Sequence, residues 1–401
     1  MSWRLRALVP AICAAQALAF VVPAAQAAPP PALGFISPSG DVDTYVGRLK
    51  SGGERDRVLN QMEIGARTFW AGDYDQATVA LDDAIHNVEA VFAGDANSAK
   101  ARSLWYEEGQ KIFKGEPYER VMLYYYRGLL FLRAGDYENA RAAFKAGQLQ
   151  DAFAEEDQYR CDFAAMVFLE AWASHLNHDY DLRDEALARL KQLRPDFAGI
   201  GPHDDTLVLA ETGTAPRKLG DGLEHAFFVY RRGKGFTEAR AAIVRDGASI
   251  QLFPMEDIYL QAVTRGGRQV DKILRGKAEF AETTSAIGST LTDASSLLGQ
   301  ASALTRGSSA SSSLGTAGAV VGGIGAVSVL ISLNAKPEAD TRTWSSLPDT
   351  VHVTTYSSQD HPDKTITVRF LAQDGAPAED DKSVALAKDT HGASYAWVRS
   401  R

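Results

Sequence analysis

The stretch GEPYERVMLYYYRGLLFLRAGDYENARAAF, residues 115–144, carries the pattern that decides the fold of this chain. Apolar residues recur at intervals of three and four on both sides of Gly135-Asp136, which predicts two amphipathic helices joined by a tight turn. Gly128 in the first helix and Ala140 in the second are small, so that the two helices can cross closely. The three consecutive tyrosines at 124–126 therefore belong to the first helix of a pair.

The same stretch fits the tetratricopeptide pattern, W-x2-L-G-x2-Y followed by A-x3-F, at most of its positions. We expect six residues to pack the two helices together: Tyr124, Gly128, Phe131, Tyr137, Ala140 and Phe144. Weaker copies run from Gly65 to Leu81 and from Leu169 to Leu190. The copies are spaced unequally and more widely than the ideal repeat, which predicts insertions between them.

A neighbouring stripe of the first helix faces the concave groove in repeats of this kind, where peptides bind. The residues of that stripe are Tyr125, Leu129, Leu132 and Arg133. These four residues are the candidates for contact with a protein or peptide partner. For each aromatic side chain, packing inside the domain is the favoured interpretation and partner contact is the alternative.

The N-terminus has the form of a secretory signal peptide. Arg4 and Arg6 precede the uncharged, largely apolar run 7–24, and Ala25-Gln26-Ala27 has the small-x-small form of a cleavage site. Residues 1–27 are therefore predicted to be removed after Ala27, with an uncleaved anchor as the alternative. The mature chain is expected in the periplasm, with membrane association left open.

The charge of the chain excludes one class of partner. The full sequence has a formal net charge of −9, and removal of Arg4 and Arg6 takes it to about −11. This acidic excess argues against a nucleic-acid partner, because nucleic-acid binding needs clustered cations. Cys161 is the single cysteine of the predicted mature chain, and its apolar neighbours indicate a buried thiol.

Composition divides the rest of the chain into an α+β arrangement. Residues 28–56 are rich in proline, glycine and serine and are predicted to form an extended leader. Residues 57–200 are predicted to be the helical repeat domain, and residues 201–401 a mixed α/β domain. The second domain contains a glycine-rich apolar segment at 314–333.

Within the second domain, strand patterns lie on both sides of a long helical stretch. Strands near 206–253 and 351–401 are predicted to share one antiparallel sheet, with helices from Met255 to Leu304 between them in sequence. Asp246-Gly247 predicts a two-residue hairpin turn within the first group.

Two stretches of the second domain could contact a membrane. Residues 314–333 are long enough to span hydrocarbon, although their five glycines weaken insertion. The favoured interpretation is a helix or helical hairpin packed on the protein's own apolar surface, and the alternative is a segment that inserts into a membrane or forms an oligomer. The basic stretch 265–277 could contact anionic lipid or cell-wall polymer, or could be an ordinary solvated helix face.

Chemistry-bearing motifs are sparse. His175 and His178 could offer two imidazoles to a metal ion, and this pair is the basis of the least favoured reading, a metal-dependent hydrolase. Nucleotide-binding loops and hydrolase elbows do not occur in the required context. We therefore expect a protein that is not an enzyme and has no cofactor.

Four segments together resemble a family of bacterial exported, tetratricopeptide-like proteins of unassigned function, many of them lipoproteins. They are residues 115–144, GTAPRK at 213–218, Met255-Glu256 at a predicted helix start, and ADTRTWSSLPD at 339–349. The resemblance implies a cell-envelope location and no catalytic residues. This chain departs from the lipoprotein members because no lipobox precedes Cys13.

The favoured function is thus a non-enzymatic cell-envelope scaffold that binds a protein or peptide in its repeat groove. The alternative is an envelope component that inserts into a membrane or oligomerises through residues 314–333.

Overall fold

The computed structural model describes residues 40–92, 112–152, 163–221, 227–264 and 340–400. Over these ranges the chain is α+β, as the sequence predicts. Several predictions fall on residues outside the described ranges: the signal peptide, Cys161, the basic stretch 265–277 and the apolar segment 314–333.

The N-terminal part is helical. Its described helices are α1 Gly40–Ser51, α2 Arg57–Trp70, α3 Tyr74–Phe92, α4 Pro117–Ala134, α5 Tyr137–Ala152, α6 Ala164–Leu176 and α7 Tyr180–Leu193. The prediction of an extended leader is wrong for helix α1. Val42 and Val46 lie four residues apart and are both buried, so the helix is stabilised by one short apolar stripe that the leader's composition conceals.

Helices α2–α3, α4–α5 and α6–α7 form three hairpins that share one turn geometry. The turn residue with positive φ is Gly72, Gly135 or His178, with φ of 81°, 77° and 60°. The amide of the next residue, an aspartate in all three hairpins, donates to the carbonyl oxygen five residues back at 2.9 Å. This pattern is a Schellman turn, which satisfies the last carbonyls of one helix and starts the next.

The first two hairpins also cross in the same way. A Cβ atom on Gly128 would overlap the ring of Phe144, and a Cβ on Gly65 would overlap the side chain of Leu81. Each glycine therefore lets a large side chain of the following helix approach its backbone. Ala140 is completely buried on α5, one turn before Phe144.

The C-terminal part contains eleven described strands and one short helix, α8 Ile258–Thr264. The strands are β1 Thr206–Thr212, β2 Arg217–Asp221, β3 Phe227–Arg231, β4 Glu238–Arg245, β5 Ala248–Gln251, β6 Phe253–Asp257, β7 Thr350–Tyr356, β8 Thr365–Ala372, β9 Lys382–Ala385, β10 Ala387–Lys388 and β11 Ser394–Arg399. One sheet has the order β10-β11-β1-β7-β6, a second has the order β5-β4-β8-β9, and β2 pairs with β3 in a separate ribbon.

The pairing of distant strands is confirmed, but the single antiparallel sheet is wrong. Strand β1 pairs with β7, and β4 with β8, so both sequence regions contribute to each sheet. The strands nevertheless form two sheets, and β11 lies parallel to β1. Period-two patterning identifies a strand and its faces but cannot assign it to a sheet or a direction.

Two local predictions in this region have opposite outcomes. The Asp246-Gly247 turn is confirmed, since both residues have positive φ, at 50° and 77°. The helix start at Met255-Glu256 is wrong, because both residues lie in β6, which pairs with β7, and helix α8 begins after them.

Strand β1 separates two buried clusters. Leu207 and Leu209 pack into a cluster that includes α4 residues, whereas Val208 and Ala210 pack toward β4 and β8 of the second sheet. The described residues therefore form three layers, helices on sheet on sheet, with β1 in the centre. The first cluster joins residues from both sides of the predicted boundary at 200.

Substitution of alanine for Gly128 should lower the free energy of unfolding by about 1–3 kcal/mol, because the added methyl group must displace the Phe144 ring. Gly47→Ala on α1 is the matched control, since a Cβ there meets no atom within 4 Å. That control should be neutral or stabilising by up to about 1 kcal/mol through helix propensity. Urea unfolding of both variants checks this, and equal effects would contradict the close crossing.

Candidate functional site

Residues 340–349, here called the anchored segment, lie against the helical layer and are held there by carboxylates. Glu119 of α4 is completely buried. It accepts a hydrogen bond from the Trp344 amide at 2.7 Å and another from the Thr343 hydroxyl at 2.9 Å. A carboxylate that receives a backbone N–H recognises the peptide chain itself more than any side chain.

A second carboxylate repeats this contact one residue further along. Glu63 of α2 is buried and accepts hydrogen bonds from the Ser345 amide and hydroxyl, both at 2.6 Å. Arg67, one turn further along α2, donates to the other Glu63 oxygen at 3.2 Å. Consecutive backbone amides of one segment are thus bound by acids from two different hairpins.

The anchored segment also supplies apolar contacts and links the layers. The Trp344 ring is completely buried, and its centroid lies 5.8 Å from that of Tyr126. At the far end, Asp349 donates its amide to the Thr212 carbonyl at 2.8 Å, and its own carbonyl accepts the Ile258 amide at 2.8 Å. The segment therefore connects α4, β1 and α8.

Further buried charges stabilise the base of this arrangement. Lys218 of β2 pairs with Glu116, the N-cap residue of α4, at 2.5 Å, and both side chains are buried. Burial and the neighbouring Glu116 carboxylate raise the pKa of Glu119. Lys218 and the backbone amides of Glu116 and Trp344 lower this pKa in part. Breaking the buried Lys218–Glu116 pair would leave an uncompensated charge in the core. The pair therefore favours the arrangement in which β2 lies against the start of α4.

The three tyrosines of α4 serve different contacts. The Tyr124 hydroxyl donates to Glu89 of α3 at 2.8 Å. Tyr126 donates to Glu211 of β1 at 3.0 Å. Tyr125 packs edge-on against Tyr126. Among the described residues, its hydroxyl and the Glu211 Oε1 atom have no hydrogen-bond partner.

Burial controls the ionisation of Glu211, which lies at the end of β1. It raises the pKa of Glu211 to about 7, even though Arg399 and the Tyr126 hydroxyl lower it in part. The pKa of Tyr126 is raised as well, first by burial and then by the Glu211 charge. The inner face of α4 therefore packs against a polar cluster of the sheet.

This burial corrects the predicted partner-binding stripe. Tyr125, Leu129 and Leu132 are completely buried inside the chain, in the core cluster that also contains Leu207 and Leu209 of β1 and Trp344 of the anchored segment. Arg133 is half-buried, and its guanidinium lies 4.1 Å from the Tyr74 ring centroid. A separate partner could reach the three buried side chains only after the layers had opened.

The predicted packing residues lie between α4 and its neighbours. Five of them are buried and Phe131 is half-buried: Tyr124, Gly128, Phe131, Tyr137, Ala140 and Phe144. Tyr137 also reaches outside the helical layer, since its hydroxyl donates to Asp389 at 2.6 Å. The Asp389 carboxylate also accepts the Tyr395 hydroxyl at 3.0 Å.

The two histidines proposed as metal ligands have structural partners. His175 Nε2 donates to the Asp204 carbonyl oxygen at 2.8 Å, and its Nδ1 lies 3.4 Å from Arg183 Nη1. His178 occupies the left-handed turn position and contacts the Tyr180 hydroxyl. Within the described ranges, no three His, Cys, Asp or Glu side chains are grouped so that they could hold a metal ion.

One cleft opens beside the anchored segment, and we call it the α1 cleft. Its volume is about 340 Å³. Helix α1, helix α2 and the anchored segment contribute its lining: Tyr45, Arg48, Ser51, Gly52, Asp56, Leu59, Asn60, Glu63, Arg342, Thr343 and Ser345. Most of the lining residues carry polar side chains, and this volume suits a small ligand.

Sequence patterns alone do not identify the acids that form this site. Glu63, Glu119 and Glu211 each interrupt a largely apolar helix or strand. The sequence does offer one indication of such a site, namely a single acid on an otherwise apolar face, because a buried carboxylate without hydrogen-bond donors is costly. This indication can identify the acid but not its hydrogen-bond donors, because the donors lie far away in sequence.

Glu211→Gln should reduce the pH dependence of stability. With a folded pKa of about 7 and an ordinary value of 4.5, the folded state binds a proton that the unfolded chain releases between these values. The wild-type free energy of unfolding should therefore fall as pH rises from 4.5 to 7, by up to about 3 kcal/mol from this group.

Urea unfolding at pH 5 and pH 8 measures this difference. Glu138→Gln, an exposed change on α5, is the matched control and should keep the wild-type difference. An unchanged difference in Glu211→Gln would show that Glu211 titrates normally.

Known proteins offer no relative from which a function could be inferred. Neither a protein-family model, nor a curated protein, nor a solved structure matches the chain. The resemblance to exported helical-repeat proteins therefore stays a prediction, and functional proposals rest on the contacts of the described residues.

Proposed function

We propose that the protein is a non-enzymatic scaffold of the cell envelope, built on tetratricopeptide-like repeats. Two features of the helical hairpins support the repeat. The three hairpins share one turn geometry, and each turn is followed by Asp-Tyr, at 73–74, 136–137 and 179–180. The first two also share a glycine at the crossing, eight residues before the turn aspartate.

The observation that carries the proposal is the way the anchored segment is held. Repeat domains that bind peptides combine contacts to the backbone with pockets for selected side chains. Glu119 and Glu63 bind the amides of Trp344 and Ser345, while the Trp344 ring is buried. The protein's own segment thus occupies the place that a bound peptide would take.

A scaffold with a filled groove must bind its partner outside that groove or exchange the segment for it. The anchored segment retains exposed positions, among them Thr341 and Ser345. We place the partner contact at the exposed edge of the anchored segment.

A photocrosslinking residue at Thr341 should give one defined protein adduct in intact cells, because this side chain is exposed beside the proposed contact. The same residue at Asp374, in the exposed turn after β8, is the matched control. Mass spectrometry of the adduct identifies the partner. Identical adducts at both positions, or none at Thr341, would refute a partner at this edge.

A second candidate function, membrane association through residues 314–333, has one supporting observation. Leu260 and Val263 on α8 are 50% and 46% exposed, immediately before the stretch that contains the apolar segment. Paired exposed apolar side chains on one short helix favour an apolar contact nearby. In the part of the chain that the structure describes, no helix has the length and hydrophobicity to cross a bilayer.

Deletion of residues 314–333 tests this candidate by fractionation. The wild-type protein should sediment with membranes and the deletion variant should be released by osmotic shock, because the uncharged segment supplies the apolar area for insertion. If both proteins appear in the osmotic-shock fraction, residues 314–333 do not hold the protein at a membrane.

A further inference from the structure

The α1 cleft is lined by the side-chain amide of Asn60. The residue as a whole is only 4% exposed. Its side chain makes no hydrogen bond to any described residue. The amide atoms are nevertheless not among the described polar atoms that are cut off from solvent, so they face the cleft. Because an amide can both donate and accept, it is available to a polar group of a ligand.

The charged groups that line the α1 cleft are ion-paired, apart from Arg48. Arg342 donates to Asp340 and to Asp56, each at 2.7 Å, and this group of three keeps one net negative charge. The Glu63 carboxylate is occupied by Ser345 and Arg67. None of the described carboxylates pairs with Arg48.

Aromatic stacking holds the free guanidinium in position. The Arg48 guanidinium lies 5.1 Å from the centroid of the Tyr45 ring, whose surface also contacts Arg67 at 4.9 Å. This cation–π contact restricts the Arg48 side chain without consuming its hydrogen-bond donors. Arginine in such a state is suited to bidentate binding of an oxyanion.

From these contacts we propose that the α1 cleft binds a small oxyanion ligand, with Arg48 on the anionic group and Asn60 on a neighbouring polar group. The cavity of about 340 Å³ lies at the lower end of ligand-binding sites, which limits the ligand to the size of a short peptide end or a small metabolite. Leu59 supplies an apolar contact beside the anion. Ser345 belongs both to this lining and to the exposed edge where the partner contact is placed, so the two proposed sites are adjacent.

Three probes test the site in the full-length protein. They are N-acetyl-dialanine, its C-terminal amide, and inorganic phosphate, each titrated and followed by ligand-observed NMR. The acid should bind at least about tenfold more tightly than the amide, because the amide has no charge for Arg48. Phosphate that competes with the acid would extend the ligand class to phosphates, whereas phosphate that does not compete would restrict it to carboxylates.

Matched variants locate the binding. Arg48→Gln should weaken acid binding about tenfold, and Asn60→Ala should weaken it as well. Lys50→Gln removes the same charge from α1 at an exposed position outside the cleft, and it should change the affinity less than about twofold. Circular dichroism checks that each variant is folded. If Asn60→Ala does not fold, Arg48→Gln decides the outcome, because Arg48 is exposed and its replacement does not disturb the core.

Two results would overturn the proposal. The first is an acid that binds no more tightly than its amide, with no phosphate binding. The second is equal weakening by Arg48→Gln and Lys50→Gln, which would reduce the effect to the general charge of helix α1. The crosslinking result at Thr341 is independent of both.

Discussion

The hydrogen bonds from Glu119 and Glu63 to the amides of Trp344 and Ser345 are the contacts on which the other layers depend. They fix the anchored segment against the helices, and Asp349 at its end joins β1 to α8. The apolar cluster around Trp344 and Tyr126 alone would tolerate sliding, since hydrophobic packing is non-directional. Buried carboxylates impose one register because each must meet its donors.

The same contacts determine which surface of the helical layer is accessible. A helical-repeat domain ordinarily exposes its inner face to ligands. Here β1 and the anchored segment cover that face, and Tyr126 extends the contact to Glu211. The inner face of the helical layer thus packs into the protein's own core. The surface of this layer that a ligand can reach lies at the edge beside α1. The α1 cleft lies at that edge, between helices and the anchored segment.

Sequence reasoning succeeded where local chemistry determines structure. The Asp246-Gly247 turn needs two positive φ angles, and the glycine at 128 precedes a bulky residue on the next helix. It failed where the determining contact is distant in sequence. The prediction that Tyr125 faces an open groove is one example, because its burial depends on residues such as those of β1 that follow much later in sequence. His178 was weighed as a ligand because its turn role appears only when the three Asp-Tyr pairs are aligned.

The position of β1 also constrains the order in which parts of the molecule can fold. This strand lies between β7 and β11, whose residues are synthesised well after those of the helical hairpins. The helical hairpins depend on nearby residues and can form early, whereas the central sheet must wait for its C-terminal neighbours. Until then the inner face of α4 has no protein cover. A chaperone that shields apolar surface would have its longest period of contact with this face.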